Sequence, residues 1–295
     1  MAGSIREKIQ LAVGPADTLQ RLLMINVVVF LVIRIINSVS ELFLNPVLEL
    51  FTVLEWLAVP ADLSVLLHKP WSLFTYMFLH WDFMHLLFNM LWLFWMGKIF
   101  QEYLGNRKLL AVYILGGISG AFVFIAAYNI FPLFSTSLGI ATALGASASV
   151  LAITVAAATL VPDYPIQLLF FGRVALKWVA ACTLLLDLIS ISGDNAGGHL
   201  AHLGGALFGF LYIRQMRAGR DIGEWFSRIA DKFSVKRKAR MQVKYSRAAS
   251  DEDYLVSKKG KQERLDEILD KISKSGYGSL SKEEREFLFN QSKDN

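Results

Sequence analysis

Ser147, in the run Gly145-Ala146-Ser147-Ala148-Ser149, and His202, in Ala201-His202-Leu203-Gly204-Gly205, each stand just inside one end of a strongly apolar stretch. A serine hydroxyl is a poor nucleophile until an adjacent base takes its proton, and histidine, with an unperturbed pKa of about 6.5, is the usual base. A nucleophile and a base inside a membrane point to proteolysis there. Taken singly, each residue has a plainer reading: a small serine easing helix packing and a histidine capping a span.

A second polar set lies earlier, in His80-Trp81-Asp82-Phe83-Met84-His85-Leu86-Leu87-Phe88-Asn89. His85 and Asn89 are four apart and share one helical face. Both can donate hydrogen bonds to an oxygen that becomes negative during acyl transfer. Free backbone N–H groups at the start of the helix carrying Ser147 would add donors. Hydrogen bonding to neighbouring helices is the structural alternative, but polar side chains at membrane depth are costly and presumptively functional. His80 extends the polar set toward the outer side and would help water reach the serine.

Close approach of the helices bearing Ser147 and His202 requires small residues. Ala201, Gly205 and Gly209 form a small-xxx-small-xxx-small ladder, and Gly145, Ala146 and Ala148 surround the serine. Ser149, about 200° around the helix from Ser147, is expected to point away from that seam and to serve packing.

These residues need a membrane scaffold, and the composition supplies one. The 295 residues are 54% hydrophobic and 19% charged, with a mean hydropathy of +0.43, which is too apolar for a soluble domain of this length. About 20 apolar residues cross the hydrocarbon layer. Six stretches qualify, near 22–39, 74–96, 109–130, 145–162, 174–192 and 197–215. The expected fold is an all-α polytopic membrane bundle of six transmembrane helices. Between the first two spans, 40–72 is broken by Pro46, Pro60 and Pro70 and reads as a loop structure lying in the interface.

Basic residues set the expected orientation. Arg6, Lys8 and Arg21 precede the first span, Lys98, Arg107 and Lys108 separate the second and third, and Arg173 begins the fifth. The opposite connections carry Lys69 alone against Glu41, Glu49, Glu55, Asp62 and Asp194. The positive-inside rule then puts both termini in the cytoplasm of a multi-pass protein of the cell (inner) membrane. Arg34, inside the first span, is expected to snorkel toward the outer headgroups and a loop carboxylate. The N-terminal stretch does not read as a signal peptide. Cys182 is the one cysteine, so no intramolecular disulfide forms, and it reads as a small hydrophobe.

Four regions are expected: 1–21, a cytoplasmic N-terminal segment; 22–215, the membrane domain; 216–260, a basic amphipathic and linker segment; and 261–295, a small helical hairpin. Residues 1–213 carry 10 basic against 11 acidic side chains, and residues 214–295 carry 20 against 14. The basic excess therefore belongs to the tail. Ile222, Trp225, Phe226, Ile229 and Phe233 recur at helical spacing among Arg228, Lys232, Lys236, Arg237, Lys238 and Arg240. That fits a helix on anionic lipid of the inner leaflet, with an ordinary solvated helix as the competing reading. No aromatic-basic nucleic-acid pattern occurs. Further on, Leu265, Ile268, Leu269 and Ile272 mark a helix that Gly276 can end, and Ser281 with Glu284 forms a capping box for a last helix with Phe287 and Leu288. So small a hairpin is expected to dock on a partner that its sequence does not name.

Three segments together resemble the rhomboid intramembrane serine proteases of bacterial type: H-x-x-x-x-H-L-L-F-N at His80–Asn89, G-x-S at Gly145–Ser147, and A-H-x-x-G-x-x-x-G at Ala201–Gly209. The resemblance covers roughly residues 20–215. It implies Ser147 as nucleophile, His202 as general base, His85 and Asn89 as side-chain donors of the oxyanion hole, and His80, Gly145, Gly205 and Gly209 in support. It also implies cleavage of substrate transmembrane helices near their outer ends, entry beside the fifth span between Phe171 and Ile189, and a Ser-His dyad with no acidic third member. No cofactor or metal is required. The alternative is a silent rhomboid-like protein that binds or escorts membrane clients; such proteins generally lack a catalytic residue, and this chain keeps both.

Three positions depart from the family pattern. Ala148 stands where glycine usually follows the nucleophile, and its methyl would tighten the oxyanion pocket or shift the seam. Trp71 is followed by Ser72 instead of the arginine common in the first outer loop. Leu151 occupies a position where some members stack an aromatic ring on the base. Among other chemistries, the H-E-x-x-H zinc motif is absent, and His199-x-x-His202 has no obvious carboxylate partner in sequence. Aspartyl catalysis needs two facing aspartates. Asp187 alone lies clearly within a span, where it is expected to pair inside the bundle or line the substrate entrance.

Overall fold

A computed structural model describes residues 17–43, 50–168, 172–193, 195–233 and 251–291. Arg6, Lys8, Pro46, Glu49, Phe171, Asp194, Lys236, Arg237, Lys238 and Arg240 lie outside the described residues. The chain divides into two compact units, Met1–Val235 and Lys236–Asn295.

The first unit opens with α1 (Thr18–Leu42), whose first turn is closed by a capping box: the Asp17 carboxylate accepts the Gln20 N–H, and the Gln20 side chain accepts the Asp17 N–H. Leu19, Leu22, Phe30 and Ile33 pack inward, while Met24, Val28, Leu31 and Ile35 are exposed. A helix with apolar residues on both faces, one of them uncovered, suits hydrocarbon as its solvent. On the inner face, buried Asn26 donates to the Leu22 carbonyl (2.8 Å) and to Tyr113 Oη (3.0 Å). Tyr113 in turn donates to the Met77 carbonyl (2.9 Å). Without water to replace them, these bonds anchor α1 to the bundle.

The stretch 50–78 contains short elements: α2 (Leu50–Leu57), β1 (Val59–Pro60), α3 (Leu63–His68), α4 (Ser72–Thr75) and a 3₁₀ turn, Tyr76–Phe78. Trp71 stacks on Trp56 with centroids 6.2 Å apart and donates its indole N–H to the Trp56 carbonyl, and Lys69 Nζ donates to the Glu55 carbonyl at 2.8 Å. These bonds tie the loop together beside Ser72. Ser72 itself is fully buried.

Next comes α5, Phe83–Ile130, broken at Gly105, whose φ of 77° and ψ of 176° are not helical. That left-handed backbone favours glycine, and it divides the element into segments 83–104 and 106–130. By length and composition α1 and α5 are apolar enough to cross a membrane. The first segment starts at Phe83, nine residues later than the hydropathy pattern suggests, because the Asp82 carboxylate caps it by accepting the His85 N–H (2.9 Å).

Strand β2 (Thr142–Ala143) pairs antiparallel with β1, Val59 opposite Ala143 and Pro60 opposite Thr142, and leads into α6 (Ser147–Leu160), buried on nearly every side. A hairpin of β3 (Pro165–Leu168) and β4 (Gly172–Ala175) precedes α7 (Leu176–Ile189) and α8 (Ala196–Arg217). Cys182 is exposed on α7. A Cβ on Gly205 would fall on the Ala148 carbonyl oxygen, and one on Gly209 would fall on that of Ala152. Both registers advance by four residues, so α6 and α8 run parallel with backbones in contact. On its other side α6 meets segment 106–130, where Gly116 and Gly120 face the methyls of Ala152 and Ala148. At the far end, Arg217 donates to the Thr159 and Leu160 carbonyls (2.8 and 3.1 Å), closing the C-terminus of α6. The short α9 (Glu224–Phe233) turns Phe226 toward the bundle and leaves Trp225 and Ile229 exposed.

In the second unit, α10 (Asp251–Ser275) begins ten residues ahead of the stretch expected for it. It ends at Gly276, whose φ is 74°, and α11 (Lys282–Gln291) follows. Ser281 N–H donates to the Glu284 carboxylate (2.6 Å), and Glu284 N–H donates to Ser281 Oγ (3.2 Å), which completes the capping box. Lys271 reaches the same carboxylate at 2.9 Å. The Lys271 ammonium first, and the Ser281 N–H next, hold Glu284 below its ordinary pKa of 4.5. A lowered folded pKa gives stabilisation that is present above 4.5 and lost as pH falls through the folded value. Glu284→Gln is therefore expected to speed hydrogen exchange in α11 at neutral pH, with wild type and variant converging in acid.

Candidate active site

A cavity of about 480 Å³ opens where α6 and α8 begin, and its wall includes His85, Asn89, Gly145, Ser147, Ala201 and His202. Ser147 is the first residue of α6, directly after the turn at Gly145. Two features fix that turn. The Gly145 N–H donates to the Tyr76 carbonyl (2.9 Å), and its φ is 126°, a backbone side chains rarely adopt. A Cβ there would come within 2.9 Å of His85 Nε2, so only glycine lets the imidazole close on the serine turn. With no side-chain cap at Ala146, the first N–H groups of α6 are left for another acceptor.

The bonds around His85 assign its proton. Trp81 N–H donates to His85 Nδ1 at 3.4 Å, so the neutral ring carries its hydrogen on Nε2, the atom beside Gly145. Asn89 Nδ2 donates one hydrogen to the His85 carbonyl (2.9 Å), and its second remains. His80 is 2% exposed and stands behind His85, ring centroids 5.1 Å apart, outside the cavity wall. It packs edge-on against the imidazole. Arg34 donates to the Trp81 carbonyl and lies over the Phe30 ring. Its hydrogen bond thus goes to a backbone oxygen at the turn that precedes His85, and its charge also acts on the Asp82 carboxylate there.

Ser149 faces away from Ser147, its Oγ 3.9 Å from Met77 Sδ. The Ala148 methyl points at Gly120, where a Cβ would be 2.6 Å from it, so the glycine lost after the serine is matched by one on the facing helix. Leu151 belongs to a second cavity of about 350 Å³ that also reaches Ser147 and His202, walled by Trp92 on α5 and by Thr183 and Leu186 on α7.

The expectation of no acid beside His202 is corrected by α7. Asp187 is 5% exposed, and its Oδ1 lies 2.7 Å from His202 Nδ1 and 2.8 Å from His199 Nδ1. The carboxylate missing from the sequence pattern of His199-x-x-His202 arrives from the adjacent helix. These three ligand-type atoms lie within 4.8 Å of one another. Tetrahedral zinc with bonds of ~2.0–2.2 Å would hold its ligand atoms about 3.4 Å apart. The observed separations from Asp187 Oδ1 are those of hydrogen bonds, and Asp187 Oδ2 is buried without a hydrogen-bond partner among the described residues. Sequence reasoning had one signal for it, an ionisable residue in an apolar helix that must find a partner.

Comparison with known proteins agrees with this architecture. The rhomboid domain family matches residues 67–218, more than half of the chain. Residues 249–294 match a family of unknown function (DUF6576). Among curated proteins, the chain is similar to rhomboid protease GlpG of Salmonella newport (strain SL254) and of Salmonella heidelberg (strain SL476). Each is 38% identical over 72 residues, which is 24% of this chain and 26% of the relative. The chain thus spans about a quarter of the length of the curated relatives it matches. With its helical membrane bundle and a family match that includes Ser147 and His202, the chain belongs to the rhomboid family.

Proposed function

We propose that this chain is an intramembrane serine protease that cleaves membrane-spanning segments of other proteins. The observation that carries the reading is the cavity whose wall Ser147, His202, His85 and Asn89 share, with His85 Nε2 and Ser147 Oγ both facing Gly145. In acylation, Ser147 Oγ attacks the scissile carbonyl carbon as His202 Nε2 takes the hydroxyl proton. The oxyanion receives hydrogen bonds from His85 Nε2–H, Asn89 Nδ2–H and the free N–H groups at the start of α6. His202 then gives its proton to the departing amine nitrogen, and the C–N bond breaks. Water entering the cavity, deprotonated by the same nitrogen, releases the acyl group and restores the serine.

The apolar cavity between α5, α6 and α7 suits a substrate helix arriving from the lipid, with Trp92, Thr183 and Leu186 on its walls. We assign both termini to the cytoplasm, on the basic residues Arg21, Lys98, Arg107 and Lys108. The membrane domain of 22–215 is the catalytic part in this reading. Trp225 and Ile229, exposed on α9 beside Arg228, fit contact with anionic lipid. The hairpin of 261–295 is left to bind a further partner.

Fluorophosphonate labelling of the purified chain, with the adduct located by peptide mass mapping, tests the proposal. A single phosphonyl group on Ser147 is the expected result. A folded protein that takes no probe would instead be a client-binding member of the family.

A further inference from the structure

Asp187 and His199 stand beside the proposed catalytic pair and have no part in the mechanism given above. Asp187 is buried on α7, and a carboxylate there needs a partner. Among the described residues no lysine or arginine pairs with it; its hydrogen-bond and ion-pair partners are His199 and His202. Both imidazoles present Nδ1 to one carboxylate oxygen. A carboxylate only accepts, so each Nδ1 carries a hydrogen, and in the neutral ring the lone pair is left on Nε2. With Nδ1 of His202 committed to Asp187, Nε2 is the ring nitrogen left to serve Ser147. It is therefore in the tautomer a base requires.

We propose that Asp187 is a positioning residue that makes the expected dyad a three-membered relay, with His199 fixing the carboxylate through the same oxygen. The inference rests on the protease reading of Ser147 and His202. When Ser147 attacks, its proton moves to His202 Nε2 and the ring becomes an imidazolium 2.7 Å from a carboxylate oxygen. Asp187 stabilises that charge and keeps no proton, and the proton leaves with the amine. His199, 2.8 Å from the same oxygen, prevents the carboxylate from turning away from His202. Asn at 187 could still accept from both imidazoles through Oδ1 but carries no negative charge, so the imidazolium formed on His202 would lose its counter-charge.

The test uses the full chain in proteoliposomes and the concentration dependence of fluorophosphonate labelling, which separates the limiting rate (kinact) from the half-saturating concentration (KI). Asp187→Asn is expected to lower kinact about 10²-fold or more. KI should stay within about threefold, since the probe does not touch residue 187. Asp187→Glu, which keeps a carboxylate, should recover part of the loss, and His199→Gln should cost less than Asp187→Asn. Equal kinact for wild type and Asp187→Asn, a loss confined to KI, or an Asp187→Glu variant no better than Asp187→Asn would each overturn the relay. Unlabelled wild type would overturn the protease reading itself, so the two failures are told apart by the wild-type sample alone. Should Asp187→Asn fail to fold, the order of wild type, Asp187→Glu and His199→Gln in kinact decides the matter.

Discussion

Ser147→Ala and His202→Ala are each expected to reduce cleavage of a co-reconstituted transmembrane-helix reporter by on the order of 10³-fold or more, to the floor of the assay. Removing the hydroxyl takes away the atom that forms the acyl bond. Removing the imidazole leaves that hydroxyl with no base, because no other ring nitrogen in the cavity is free to accept: His85 has its proton on Nε2 and its Nδ1 engaged by Trp81. The effects should not add. The pair acts as one unit, so the double variant should be no worse than either single one. Both variants should keep the wild-type melting temperature, since Ser147 makes no side-chain hydrogen bond among the described residues and His199 still holds Asp187 when His202 is gone. Reporter cleavage surviving in Ser147→Ala would sink the assignment of the nucleophile. A melting temperature that falls with the activity would mean the histidine is structural.

Gly205→Val should be nearly as damaging, through packing and not chemistry. The smallest side chain at 205 meets the Ala148 carbonyl oxygen, a backbone atom in the second residue of α6 that cannot swing aside. Overpacking a filled interior costs roughly 1–3 kcal/mol where side chains can shift, and here a helix must move instead. The expected result is a clearly lower apparent melting temperature in detergent together with loss of labelling, because α8 carries His202 and α6 carries Ser147. Gly139→Ala is the control: a Cβ at Gly139 meets nothing within 4 Å, so stability and labelling should both be unchanged. Wild-type melting and labelling in Gly205→Val would show that the α6–α8 seam is looser than described.

Much of this protein is written locally in its chain. Helical spans follow from length and apolarity, which is why the stretches near 22–39, 109–130 and 197–215 fall inside α1, the second segment of α5, and α8. Interactions across three or four residues are equally legible, since the helix itself sets their distance. The turn of Asn89 back to His85, the capping box of Ser281 and Glu284, and the small-residue face of Ala201, Gly205 and Gly209 are of that kind. Sequence also brought forward Ser147, His202, His85 and Asn89, which share one cavity wall.

Other contacts arise only when elements from distant parts of the chain are set side by side. Val59 pairs with Ala143 and Gly145 donates to Tyr76, and together these set the turn before Ser147. Arg34 finds the Trp81 carbonyl, with its charge also acting on the Asp82 carboxylate, and His80 packs behind His85. The Ala148 methyl has space because it faces Gly120, on another helix. Asp187 meets His199 and His202 across the α7–α8 turn. Composition and periodicity tell which residues a helix presents on each face. How that face is rotated and how closely it approaches its neighbour is fixed by close packing of the whole bundle, and that decides whether a buried carboxylate lies beside a histidine or a helix away.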